Sequence, residues 1–158
     1  EADETAICEA LYVAAGFGQV IATRASISGA EGGCQAEVAS ASAMAAAALV
    51  HLRGGAPEQM AAACAMAIKN LLGLVCDPVA GLVEVPCIKR NSAGAVNAVT
   101  SAQMALAGVE SVIPVDQVID AMRRIGNAMP EALKETGDGG LAATSRGKEL
   151  KERLEGLE

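Results

Sequence analysis

Apolar positions recur at helical spacing through most of the chain. In residues 3–22, Ala6, Ile7, Ala10, Leu11, Ala14, Ala15 and Phe17 form an apolar face, and Gly16 and Gly18 weaken its end. SISGAEGGC, residues 26–34, interrupts the pattern. Its glycines predict a loop able to take positive φ and to approach a ligand closely. A second helix is predicted from near Cys34 to about Arg53. Its middle, ASAMAAAALV, is apolar on nearly every side, the mark of a central, buried helix in a soluble fold. Gly54 and Gly55 stop it, and Pro57 and Glu58 suit the first turn of a third helix reaching about Leu72.

GLVCDPVAGLVEVPCIKRN, residues 73–91, then reads as a stiff loop rather than core. Asn91 or Ser92 is the predicted N-cap of a fourth helix, to about Ala107. Pro114 and Asp116 introduce a fifth, with Val115, Val118, Ile119, Met122 and Ile125 on one face; Pro130 ends or kinks it. ETGDGGLAAT, residues 135–144, is a second glycine-rich loop. SRGKELKERLEGLE predicts a solvated last helix, with Lys148–Glu152 and Glu149–Arg153 at i,i+4 spacing. No stretch reads as a convincing strand. The pattern predicts an all-α fold over residues 1–158, a single compact Ala-rich helical bundle with a central buried helix and cysteine-bearing Gly/Pro-rich loops.

Composition sharpens this picture. There is one Phe, one Tyr and no Trp, and alanine fills the gap. Small side chains let helix axes approach closely. Net charge is −7 and no stretch is strongly basic, which argues against nucleic acid and anionic membranes as partners. The longest apolar stretch, Val38 to Leu52, is shorter than the roughly 20 residues that span a bilayer, so no membrane is expected. The chain opens with Glu1 rather than Met, and a piece of a longer chain is expected. Five cysteines, an odd number outside a small secreted frame, point to a reducing cytoplasm.

Two cysteines, Cys8 and Cys64, fall on apolar helix faces and read as core packing. Cys34, Cys76 and Cys87 each lie in or beside a glycine- or proline-rich loop. Cys34 and Cys87 stand near predicted helix starts, and Lys89 and Arg90 follow Cys87; both features favour thiolate over thiol. The three can be ordinary loop thiols, zinc ligands or iron–sulfur ligands. The C-x2-C pairs of structural zinc are missing, and so is a ferredoxin-type run. A three-thiolate cluster would leave one iron with an open position, able to act as a Lewis acid. His51, the only histidine, reads as structural or surface, and the six methionines as core filler. Lys89, Arg90 and Asn91 are candidates to hold a substrate carboxylate, or are only solvated.

SGAEGGCQAEV, LGLVCDPVAGLVEVPCIKRN and ETGDGGLAAT, in that order, resemble the α-type domain of the iron–sulfur-dependent L-serine dehydratases. The resemblance runs from about residue 5 to residue 145, and the two-subunit form with α and β chains is the nearest. It implies an all-helical domain and pyridoxal-free deamination of L-serine to pyruvate and ammonia. It implies a 4Fe–4S cluster on Cys34, Cys76 and Cys87, with Gly32 and Gly33 letting backbone approach it. It implies a β-chain partner in an oligomer. The general base is not identified. Two departures stand out: Asn70 and Leu71 occupy positions where some members carry histidine, and no cysteine follows Cys87. The rival expectation is a non-catalytic helical assembly domain with incidental thiols, or with redox-active ones.

Overall fold

The computed structural model describes residues 2–157. Its helices are α1 (Glu4–Arg24), α2 (Gly29–Gly32), α3 (Ser40–Leu52), α4 (Pro57–Lys69), α5 (Cys87–Leu106), α6 (Val115–Ala128) and α7 (Ser145–Glu155). A π-helical turn, Gln35–Ala39, leads into α3, and short 3-10 turns cover Val79–Gly81 and Glu131–Leu133. Among the described residues there is no strand, only one isolated parallel bridge between Cys76 and Lys134. The fold is all-α.

Helix α3 is the centre, packing against α1, α4 and α5. Ala43, Ala46, Ala47 and Val50 on it are fully buried, as are Ala63, Cys64, Ala65, Ala67 and Ile68 on α4. Methyl-sized contacts across α3 and α4 replace the missing aromatics. Helix α6 adds Val118, Ile119 and Met122 to the same core, although Ile125, on the expected apolar face, is exposed. Polar ties fix the ends. Asp3 Oδ1 accepts from the Ala6 amide at 2.8 Å to start α1, and Gln59 joins the start of α4 to the Ala105 carbonyl at 3.0 Å. Helix α7 lies across the 3-10 turn at Val79–Gly81.

Several expectations need correction. Cys8 is exposed rather than core, because α1 carries apolar residues on two faces and only one packs on α3. Helix α5 starts at Cys87, not at Asn91 or Ser92; Pro86 precedes it and no side chain caps it. The segment expected as loop over 26–34 contains the single helical turn α2. In α7 the ion pairs are Arg146–Glu149 and Lys151–Glu155 instead of the two expected. Separately, α1 is 21 residues long and contains an 18-residue window of mean hydropathy 1.4, long and apolar enough to cross a bilayer by length and composition alone, a test that core helices of soluble proteins also pass.

Candidate metal centre

Three chain segments meet beside α3 and α5, each delivering one loop cysteine. Cys34 follows Gly33, whose φ of 76° turns the chain out of α2 and into the π turn. The next residue, Gln35, is fully buried and works as a clasp. Its amide donates to the Leu74 carbonyl at 2.9 Å, its side-chain oxygen accepts from the Gly73 amide at 2.9 Å, and its Nε2 donates to the Met122 carbonyl at 3.0 Å. Every hydrogen bond that this side chain makes joins the Cys34 segment to something distant in sequence, on a fully desolvated group where a missing partner is costly.

Cys76 is held by its backbone. Its amide donates to the Leu133 carbonyl and its carbonyl accepts from the Glu135 amide, both at 2.8 Å. Glu135 itself has φ of 66°, left-handed backbone that a non-glycine residue rarely adopts. Asp77 then locks the loop. One carboxylate oxygen accepts from Arg90 Nη1 at 2.6 Å and the other from the Leu141 amide at 2.7 Å. Gly140 makes this possible: a Cβ there would lie 2.7 Å from the Asp77 Cβ. The same Arg90 nitrogen also bonds the Val75 carbonyl at 2.8 Å and stands 3.9 Å from the Cys34 sulfur.

The outcome is a sulfur-lined site. Cys34, Cys76 and Cys87 are buried and none forms a disulfide. The sulfurs of Cys34 and Cys76 and a carboxylate oxygen of Glu37 all lie within 4.8 Å of one another. Cys87, the first residue of α5, is buried but stands outside this triangle. Gly29 forms the floor: a Cβ on it would sit 3.0 Å from Glu37 Oε2, 3.1 Å from Cys76 Sγ and 3.4 Å from Glu135 Oε2. Gly32 and Gly33 face elsewhere. A Cβ on Gly32 would meet Ala36, and one on Gly33 would meet Met129 and the Leu74 carbonyl.

Electrostatics at the site run against the expectation of ready thiolates. Burial, then the Cys34 charge, then Glu135 and Glu37, push the Cys76 thiol well above its ordinary value. Burial and Cys34 also raise Cys87, outweighing the opposing pull of Arg90. Crowded anionic donors in a desolvated pocket want a cation, and coordination deprotonates a thiol outright. The residues present therefore fit a thiolate-held metal group: free buried cysteines from three segments, and a cradle at Gly29 that a single methyl would begin to fill.

The other candidates are distributed as follows. Lys89 and Asn91 are exposed on the first turn of α5, while Arg90 is half-buried and tied to Asp77. Asn91 also lines a groove of about 260 Å³ with Val38, Ser42 and Gly94. His51 lies at the far end of α3, 3.3 Å from Glu9. Cys64 is in the α3–α4 core, where burial pushes its thiol up to about 12. The sequence reading missed Glu37, Gly29 and Asp77. Glu37 had one available signal, its i,i+3 spacing from Cys34, which puts two side chains on one helical face.

A family profile described as "Serine dehydratase alpha chain" matches residues 1–142. The chain belongs to that family. It is 65 % identical over 146 residues to a probable L-serine dehydratase alpha chain of Bacillus subtilis, covering 92 % of this chain and 49 % of that one. It is 60 % identical over 154 residues to a similarly named protein of Latilactobacillus sakei, covering 98 % and 74 %. It is 55 % identical over 149 residues to the L-serine dehydratase alpha chain of Peptoniphilus asaccharolyticus, covering 94 % and 51 %. The chain thus spans about half the length of two of these serine dehydratase alpha chains and three quarters of the third. Cys34, Cys76, Cys87 and their clasps all fall inside the family match.

Proposed function

We propose that this chain is the cluster-binding catalytic domain of an L-serine dehydratase, a lyase that converts L-serine to pyruvate and ammonia. The observation that carries this reading is the convergence of the Cys34 and Cys76 sulfurs within 4.8 Å over the floor at Gly29. The names of the relatives, L-serine dehydratase alpha chain, support serine as the substrate and a β chain as the partner; a cytoplasmic oligomer is part of the same proposal. Cys34, Cys76 and Cys87 would hold a 4Fe–4S cluster. When bound, it supplies a Lewis acid that stabilises departure of the serine β-hydroxyl.

The chain's own residues do the rest of what is assigned to it. Gln35 and Asp77 fix the three cysteine segments against one another. Arg90 bonds Asp77 and lies 3.9 Å from Cys34, holding positive charge next to a sulfur that must be anionic. Burial of all three cysteines keeps bulk water from the sulfurs. Lys89 and Asn91, exposed on the first turn of α5, would meet the substrate carboxylate.

The test is iron and acid-labile sulfide per chain, on protein reconstituted without oxygen. Binding of about four of each is expected, with loss on Cys34→Ala, Cys76→Ala or Cys87→Ala. Pyruvate formation from L-serine would follow with the full α and β chains. Iron binding that ignores all three substitutions, in folded protein, would overturn the reading.

A further inference from the structure

The triangle of Cys34, Cys76 and Glu37 is not the three-cysteine set. Cys87 is not part of it, and Glu37 supplies an oxygen in its place. The two sulfurs belong to residues 2 % and 3 % exposed, whereas Glu37 is exposed. The triangle therefore has a closed sulfur side and an open oxygen side. A single ion bound tetrahedrally, at about 2.3 Å to sulfur and 2.0 Å to oxygen, holds two sulfurs and one oxygen roughly 3.5–3.8 Å apart. Donors that already lie within 4.8 Å of one another reach that spacing by side-chain adjustment alone. Gly29 leaves the space beside Glu37 and Cys76 free of any side chain.

We propose that, in the absence of a cluster, the chain binds one zinc-class divalent cation through Cys34, Cys76 and Glu37. The donor set selects the ion. Two thiolates exclude magnesium and calcium, which take oxygen ligands, and favour borderline-soft ions of tetrahedral habit. Binding releases the two thiol protons to solvent, and no electron is transferred. Two thiolates and one carboxylate leave a fourth position on the open side, where a water completes the shell. Glu135, whose carboxylate also borders Gly29, adds negative charge next to the ion. Such an ion occupies two of the three cysteines assigned to the cluster, so zinc-class loading and cluster assembly exclude each other. The cation site stands whether or not the cluster assignment holds.

The probe is Co²⁺ added anaerobically to the reduced, chelator-treated chain. The expected result is one equivalent bound, with sulfur-to-cobalt charge-transfer bands and the intense visible bands of tetrahedral cobalt, all displaced by Zn²⁺. Cys76→Ser removes the bands. Glu37→Gln, at an exposed position with no folding risk, weakens binding by about tenfold or more, since even outer-shell partners of a metal are worth that much. Cys87→Ala keeps the stoichiometry and the two-thiolate charge-transfer intensity. Absence of tetrahedral bands would overturn the proposal. So would unchanged affinity in Glu37→Gln, or loss of the site in folded Cys87→Ala. Failure here with normal iron and sulfide uptake would leave the cluster assignment intact, and the converse pattern would leave the cation site intact.

Discussion

Arg90 and Asp77 meet at 2.6 Å in a pair that is 18 % and 3 % exposed, and this pair ties the start of α5 to the loop bearing Cys76. Arg90→Ala leaves the Asp77 carboxylate buried with the Leu141 amide as its remaining bond. Removing one partner of a fully buried pair costs ~3–5 kcal/mol, and the partial exposure of Arg90 brings this to about 2–4 kcal/mol. Denaturant unfolding of both single variants and of the Asp77→Ala/Arg90→Ala double variant checks it. The double variant is expected to lose clearly less than the sum of the singles.

Gly29→Ala separates stability from metal loading. Gly29 is the buried first residue of the one-turn α2, so the helix-propensity gain is small and is set against crowding by the added methyl. Its new methyl, 3.0–3.4 Å from Glu37, Cys76 and Glu135, intrudes on the donors. Uptake of iron or cobalt is expected to fall in a chain that still melts cooperatively, with at most a small drop in melting temperature. Gly16→Ala, with nothing within 4 Å of the added Cβ, is the control and should raise stability by about 0.5–1 kcal/mol without touching metal uptake.

Thiol reactivity distinguishes the two helix cysteines. Cys8 is exposed on α1, whereas Cys64 is fully buried with its thiol pushed up to about 12. Iodoacetamide at about pH 8 should label Cys8 in the native chain and leave Cys64 untouched until denaturant is added. Peptide mapping by mass spectrometry reads the outcome; rapid native labelling of Cys64 would contradict the packing described.

The contact between α1 and α6 carries a pH signature. Hydrogen bonding to Arg24, at 2.8 Å, holds the Asp120 carboxyl below its ordinary value. A depressed folded-state pKa adds stability above the unfolded pKa, and this is lost as pH falls through the folded value. The melting-temperature gap between the native chain and Asp120→Asn should therefore be largest near neutrality. It should close as pH drops below about 4, the ordinary carboxylate range. The pair is exposed, so the gap is small and shrinks further in salt.

Much of the scaffold was legible because helical periodicity reports burial. The Val118–Ile119–Met122 stripe of α6 became core as its pattern required, and so did one side of the α3 run, at Ala43, Ala46, Ala47 and Val50, whereas Ala41 and Ala45 on its other side stay exposed. The loop cysteines were legible from their glycine and proline neighbours. Glu37 and Gly29 were not, because their roles come from a π turn and a one-turn helix that periodicity does not encode. Asp77 was hidden for another reason: its partners stand 13 and 64 positions away, and no local pattern links them. Cys8 misled because an apolar face shows that a surface can be covered, not that it is.

The second of those separations sets an order of events during synthesis. The loop carrying Cys76 is finished only when Leu141 donates its amide to Asp77. A ribosome delivers the chain from its N-terminus, so all three loop cysteines emerge well before the residue that steadies them. The loop around Cys76 therefore gains this anchor only after Leu141 has left the ribosome.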